Sequence, residues 1–81
     1  MDKQQYKITN GTLLWRPSVS LMESLYYRSE GFCLACGEIQ EYVEPDARRY
    51  KCECCGAHKV YGAGELLFFG IYFTDEVTTH G

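Results

Sequence analysis

Phe32-Cys33-Leu34-Ala35-Cys36-Gly37-Glu38 and Lys51-Cys52-Glu53-Cys54-Cys55-Gly56-Ala57 are two versions of one short phrase. Each holds a C-x-x-C pair followed by glycine, and fifteen residues separate Cys36 from Cys52. A C-x-x-C turn points both sulfurs to one side. Two such turns supply four thiolates that can converge on one tetrahedral Zn2+. Glycine after the second cysteine suits the tight turn, because it tolerates positive φ. The predicted ligands are Cys33, Cys36, Cys52 and Cys55 around one structural Zn2+. The fifth cysteine, Cys54, aligns with Ala35 of the first phrase and is the expected spare. His58, three residues past Cys55, is expected at the surface rather than on the metal, and His80 lies in the polar tail. An 81-residue chain buries a modest core, so a metal can supply folding free energy that packing does not.

Upstream, Asn10-Gly11 stands between Tyr6–Thr9 and Thr12–Trp15. This pattern predicts a β-hairpin with a type I′ turn over residues 1–17, with Pro17 ending the second strand. Ser18 is a helix N-cap candidate, and Val19, Met22, Leu25 and Tyr26 recur on one helical face. A short helix over 18–30, stopped by Gly31, follows from that spacing. Between the cysteine pairs, Ile39, Tyr42 and Val43 read as a strand. Glu44-Pro45-Asp46-Ala47 reads as a turn, and Arg48–Lys51 as a returning strand. Residues 31–61 then form the metal-bearing unit, with Val60-Tyr61 a third strand. Glu65–Phe69, within a 62–74 segment packed on that unit, fits either a short helix or a strand. Gly70–Thr74 favours a strand by composition, and 75–81 is a polar tail.

The two C-x-x-C-G phrases resemble the zinc ribbon class over residues 32–61. The segments Gly31–Glu38, Val43–Glu53 and Val60–Leu67 look like the core of short zinc-ribbon proteins of phage and prophage type. The resemblance implies a small α+β fold: a zinc ribbon with an N-terminal β-hairpin and one short helix. It also implies a phage-derived setting, with the host cytoplasm as the site of action. A mononuclear iron on four cysteines would resemble rubredoxin, whose knuckles stand farther apart, so zinc is the expected ion.

The formal charge is −3, and four thiolates around one Zn2+ add a net −2, giving about −5. Such a balance opposes phosphate backbones and favours basic protein surfaces. The start, Met1–Gln5, has no apolar stretch of signal-peptide type, and Leu66–Phe73 is too short to span a membrane. A cytoplasmic protein is expected. A closed four-thiolate site leaves no coordination position for substrate, and no nucleophile–base set is visible, so catalysis is not expected. The expected function is a protein-binding module, in its specific form an inhibitor that occupies a basic surface on a host defence or transcription protein. Twelve aromatic residues are a heavy load for this length. Trp15, Tyr26, Tyr27 and Tyr72 are the candidate anchors, with Glu23, Glu30, Glu38 and Glu41 steering. The alternative is nucleic-acid binding through Arg48, Arg49, Tyr50 and Lys51. Strand alternation splits that group into two faces, and pairing of its cations with Glu41 and Glu44 across the ribbon is the plainer expectation.

Overall fold

A computed structural model describes residues 2–74. The fold is small and α+β, and the described residues form eight elements in chain order. β1 (Lys3–Lys7) and β2 (Leu13–Pro17) form a hairpin. α1 (Val19–Arg28), β3 (Glu30–Cys33), β4 (Ile39–Glu41), β5 (Tyr50–Lys51), β6 (His58–Gly62) and α2 (Ala63–Phe69) follow. The hairpin is a sheet of its own, and the other four strands form an antiparallel sheet in the order β4-β3-β6-β5.

The hairpin turn differs in type from the expected one. Gly11 N–H donates to Ile8 C=O at 2.9 Å, and Ile8 N–H donates to Thr12 C=O at 2.9 Å. Only Gly11, at φ +90°, is left-handed there, whereas a type I′ turn needs positive φ at both central residues. The connection is therefore a three-residue loop closed by glycine. Asn10 contributes through its side chain, which accepts from Thr12 N–H at 2.9 Å.

Ser18 caps α1 as expected. Its backbone is extended and its hydroxyl accepts from Leu21 N–H at 3.0 Å. The residue is fully buried, so the hydroxyl has no water to turn to. Ser18→Ala is expected to destabilise the protein by about 1 kcal/mol, read as an earlier thermal unfolding midpoint. An unchanged midpoint would remove the cap from the account. Met22 and Leu25 carry the buried face of α1, while Tyr26 turns outward.

Gly31 does not stop the helix. Ser29 does, at φ 56°, with its N–H shared between Leu25 C=O and Tyr26 C=O. Gly31 lies inside β3, where a Cβ would meet Val43 Cγ1 at 2.6 Å. It is glycine because two chain segments touch there.

Glu65–Phe69 is helical, so the described residues hold two helices rather than the one expected. Gly62 ends β6 and stands at the N-cap of α2, and Gly70, left-handed at φ 73°, closes it. Beyond it, Ile71–Thr74 is not a regular strand. One parallel bridge joins Phe73 to Ser18, through Val19 N–H to Phe73 C=O and Phe73 N–H to Pro17 C=O. The expected tail 75–81 lies outside the described residues.

Two cores result. Phe32, Leu34, Met22, Leu25, Ala63 and Leu66 bury themselves between the helices, with Leu14, Trp15, Tyr61, Ile71 and Tyr72 packed around them. Cys33, Val43, Ala47, Cys52 and Val60 form the second, at the cysteine end. Phe32 and Cys33 are adjacent, so β3 feeds both cores.

Candidate metal centre

The two cysteine turns share one backbone scheme. Cys33 N–H donates to Glu38 C=O at 2.9 Å, and Gly37 N–H to Cys33 C=O at 2.8 Å. In the second turn Cys52 N–H donates to Ala57 C=O at 2.8 Å, and Gly56 N–H to Cys52 C=O at 2.9 Å. Gly37 and Gly56 are left-handed, at φ 78° and 82°. Each turn thus closes on itself and holds its two sulfurs on one side.

β3 carries the first turn and β6 leaves the second. Their antiparallel pairing, Cys33 opposite Val60, brings the two turns face to face. The Sγ atoms of Cys33, Cys36, Cys52 and Cys55 all lie within 4.8 Å of one another. Cys33 Sγ is 3.7 Å from Cys55 Sγ, and Cys36 Sγ is 3.6 Å from Cys52 Sγ. A tetrahedral ion with metal–sulfur bonds of about 2.3 Å sets its sulfurs about 3.8 Å apart. The spacing matches, and the four cysteines could hold a metal ion.

The electrostatics fit the same use. Burial pushes the Cys33 and Cys36 thiols up, because a desolvated thiolate without a cation is costly, and the neighbouring thiols push Cys36 further the same way. Burial acts on Cys52 as well, yet its thiol is held down to about 7 by the Cys55 and Cys54 N–H groups aimed at its sulfur. Those contacts are 3.4 and 3.3 Å. Metal uptake near neutral pH must therefore displace protons from Cys33 and Cys36. The loaded state needs thiolates, so its stability is present at higher pH and is lost as pH falls. Calorimetric metal titrations in buffers of different ionisation enthalpy should show net proton release. Uptake without release would contradict thiolate ligation.

Cys54 is exposed and its sulfur stands outside the cluster. His58 is exposed on β6 and is not part of it either. The hairpin buttresses the first turn. Trp15 N–H donates to Leu34 C=O at 2.8 Å, and Lys3 Nζ reaches Gly37 C=O at 3.1 Å. A Cβ on Gly37 would stand 3.1 Å from the indole ring.

That role changes the reading of the candidate anchors. Trp15 and Tyr72 are half-buried against the first core, so they pack rather than project. Tyr26 and Tyr27 do project from α1, Tyr27 at 86% exposure. Among the acids, Glu23, Glu38 and Glu41 are exposed, and Glu30 is half-buried in β3. Glu23 and Tyr26 meet at a shallow cleft of about 90 Å3 between α1 and α2, completed by Met22, Ala63 and Leu67. Glu38 and Glu41 stand apart from them, around β4. Sequence reasoning missed Leu67, Phe68 and Phe69, which α2 turns outward, and Tyr42, 89% exposed. The signal was there: a helix cannot bury four successive apolar residues, Leu66–Phe69, on one face.

The basic group is dispersed. Only Tyr50 and Lys51 lie in β5, and Arg49 is left-handed at φ 56°. Arg48 pairs with Glu65 and sits 5.3 Å over the Phe69 ring. Tyr50 Oη donates to Glu44 at 2.6 Å, which holds the Glu44 carboxyl below its ordinary range. The expected pairing of these cations with Glu41 and Glu44 across the ribbon is not formed. β4 and β5 lie at opposite edges of the sheet, so strands read as partners are separated by β3 and β6.

Compared with protein family models, curated proteins and solved structures, the chain finds no match. No helix among the described residues is long and apolar enough to cross a membrane.

Proposed function

We propose that this chain is a non-catalytic zinc ribbon that binds another protein. The observation that supports it most directly is the closed set of four sulfurs at tetrahedral spacing. Four thiolates fill the preferred coordination of Zn2+ and leave no position for water or substrate, so the ion is structural. Zinc is favoured over iron by ligand type and by the short separation of the turns.

Binding is supported by what the fold leaves outside. A chain that half-buries Trp15 and Tyr72 still exposes Tyr26, Tyr27, Leu67, Phe68 and Phe69 on its helices. Exposed aromatic residues at this density suit a protein partner. The resemblance to phage and prophage ribbon proteins points to a bacterial host protein, and the acidic balance to a basic surface on it. Nucleic acid is the weaker reading, because Arg48 is engaged by Glu65 and Phe69.

Native mass spectrometry with elemental analysis is expected to give one zinc per chain. A gel-shift series over single- and double-stranded DNA and RNA at low salt is expected to show no tight complex. Iron in fresh protein would overturn the zinc assignment. Salt-sensitive nucleic-acid binding abolished in Arg48→Ala/Arg49→Ala would overturn the protein-partner reading.

A further inference from the structure

β4 is an edge strand with an unused side. It pairs with β3 at Phe32↔Ile39, Gly31↔Gln40 and Glu30↔Glu41. Cys33 N–H donates to Glu38 C=O, so the hydrogen-bonded positions facing β3 are Glu38 and Gln40. By alternation, the N–H and C=O groups of Ile39 and Glu41 face away, and no further strand pairs with them among the described residues. A concavity of about 480 Å3 lies there, between β4 and the second cysteine turn. Its floor is not loose. The Gln40 side chain donates to Lys51 C=O at 3.3 Å and accepts from Glu53 N–H at 2.9 Å.

The side chains around that edge select its occupant. Glu38 and Glu41 come from the β4 side and Glu53 from the turn, and none of the three is in a salt bridge among the described residues. Ile39 and the Tyr42 ring are exposed beside them. A second copy of the chain would set all these carboxylates along one seam, which like-charge repulsion opposes. Exposed acids are also a standing defence against edge-to-edge pairing with neutral strands.

We propose that the free edge of β4 takes up an extended, basic segment of the partner protein as an added strand. Main-chain groups of the segment pair with Ile39 and Glu41. Its lysine or arginine side chains meet Glu38, Glu41 and Glu53, and an arginine can lie on Tyr42. The inference rests on the protein-binding reading and names the chemistry of the segment bound.

The test uses zinc-loaded full-length protein and three capped decapeptides. One alternates arginine and valine, one alternates glutamate and valine, and one is the arginine peptide with N-methylated central residues. The arginine peptide is expected to shift the Ile39 and Glu41 amide resonances. N-methylation, which removes strand donors while keeping the charge, is expected to weaken binding about tenfold. Glu38→Gln/Glu41→Gln should weaken it by a similar factor at unchanged metal content, and the glutamate peptide should not bind. Equal binding of the methylated peptide, or shifts centred away from β4, would overturn the proposal. An amphipathic helical peptide serves as the separate probe. If it binds at Phe68 while the arginine peptide does not bind, strand addition falls and protein binding stands. If neither binds, both fall.

Discussion

Cys52→Ser is expected to empty the metal centre and abolish the cooperative unfolding transition. A neutral hydroxyl is a poor substitute for a thiolate on this kind of site. Cys52 is also the sulfur best prepared to ionise, with two N–H groups aimed at it and a thiol near 7. It is 2% exposed and belongs to the second core, so the damage extends to the contacts with Val43, Ala47 and Val60. A structural four-ligand site contributes roughly 10–16 kcal/mol of binding free energy that is also folding free energy. Losing one ligand forfeits a large part of it, more than so small a domain holds in reserve. Cys54→Ser is the control. Its side chain is exposed and outside the sulfur cluster, so stability should change by less than about 0.5 kcal/mol. Metal content by native mass spectrometry and thermal melts by circular dichroism decide the matter. A Cys52→Ser protein that keeps its metal, beside a Cys54→Ser protein that loses it, would exchange the two ligand assignments.

Gly62→Ala is expected to be the most damaging single methyl group away from the cysteines. Gly62 has an ordinary backbone for any residue, φ −75° and ψ 161°, so conformation does not demand glycine. Contact does. A Cβ there would stand 1.9 Å from Glu44 O and 2.7 Å from the Pro45 carbonyl. Both are main-chain atoms that cannot rotate away. The turn they belong to is pinned from below by Gly62 N–H to Ala47 C=O and by Glu65 N–H to Pro45 C=O, each 3.0 Å. Relief requires lifting the Glu44–Ala47 turn off β6 and loosening the start of α2. A loss of about 3 kcal/mol is expected, near the upper end for overpacking. For a domain of this size, that lowers the melting midpoint by roughly 12–24 °C. Gly56→Ala has free space around its Cβ and only its φ of 82° to pay for, so it should cost less, about 1–2 kcal/mol. A Gly62→Ala protein melting within a few degrees of the parent would show that the turn gives way easily.

The parts of the fold legible in the sequence are those governed by neighbours along the chain. The cysteine turns, the Ser18 cap and the Glu44–Ala47 turn each depend on a few consecutive residues, and each lies where its residues indicated. Glycine was harder to read, because one residue type serves two purposes. Gly37 and Gly56 supply positive φ, whereas Gly31 and Gly62 supply absence of a side chain. Sequence distinguishes these only through the distant segment that presses on them: Val43 in one case and the Glu44–Pro45 backbone in the other. The sheet order had the same difficulty. Arg48–Lys51 and Ile39–Val43 flank a turn and read as hairpin partners, yet β3 and β6 pair between them. Nothing local records that insertion. Trp15 shows the converse error. A lone tryptophan near the N-terminus reads as a free anchor until Gly37 and Lys3 are seen to enclose it.

The four sulfurs do not meet water equally. Cys33 and Cys52 are buried, Cys36 is half-buried, and Cys55 is exposed beside an exposed Gly56. With an ion bound the set would be closed at equilibrium, yet its ligands would exchange one bond at a time. A competing thiol or chelator from solution meets Cys55 first and reaches Cys33 last. The lability of a bound ion would thus be greatest at one corner of the tetrahedron. The residence time of an ion bound there would be set by how often the second turn lets go of a single sulfur, while β3 keeps its grip from the other side.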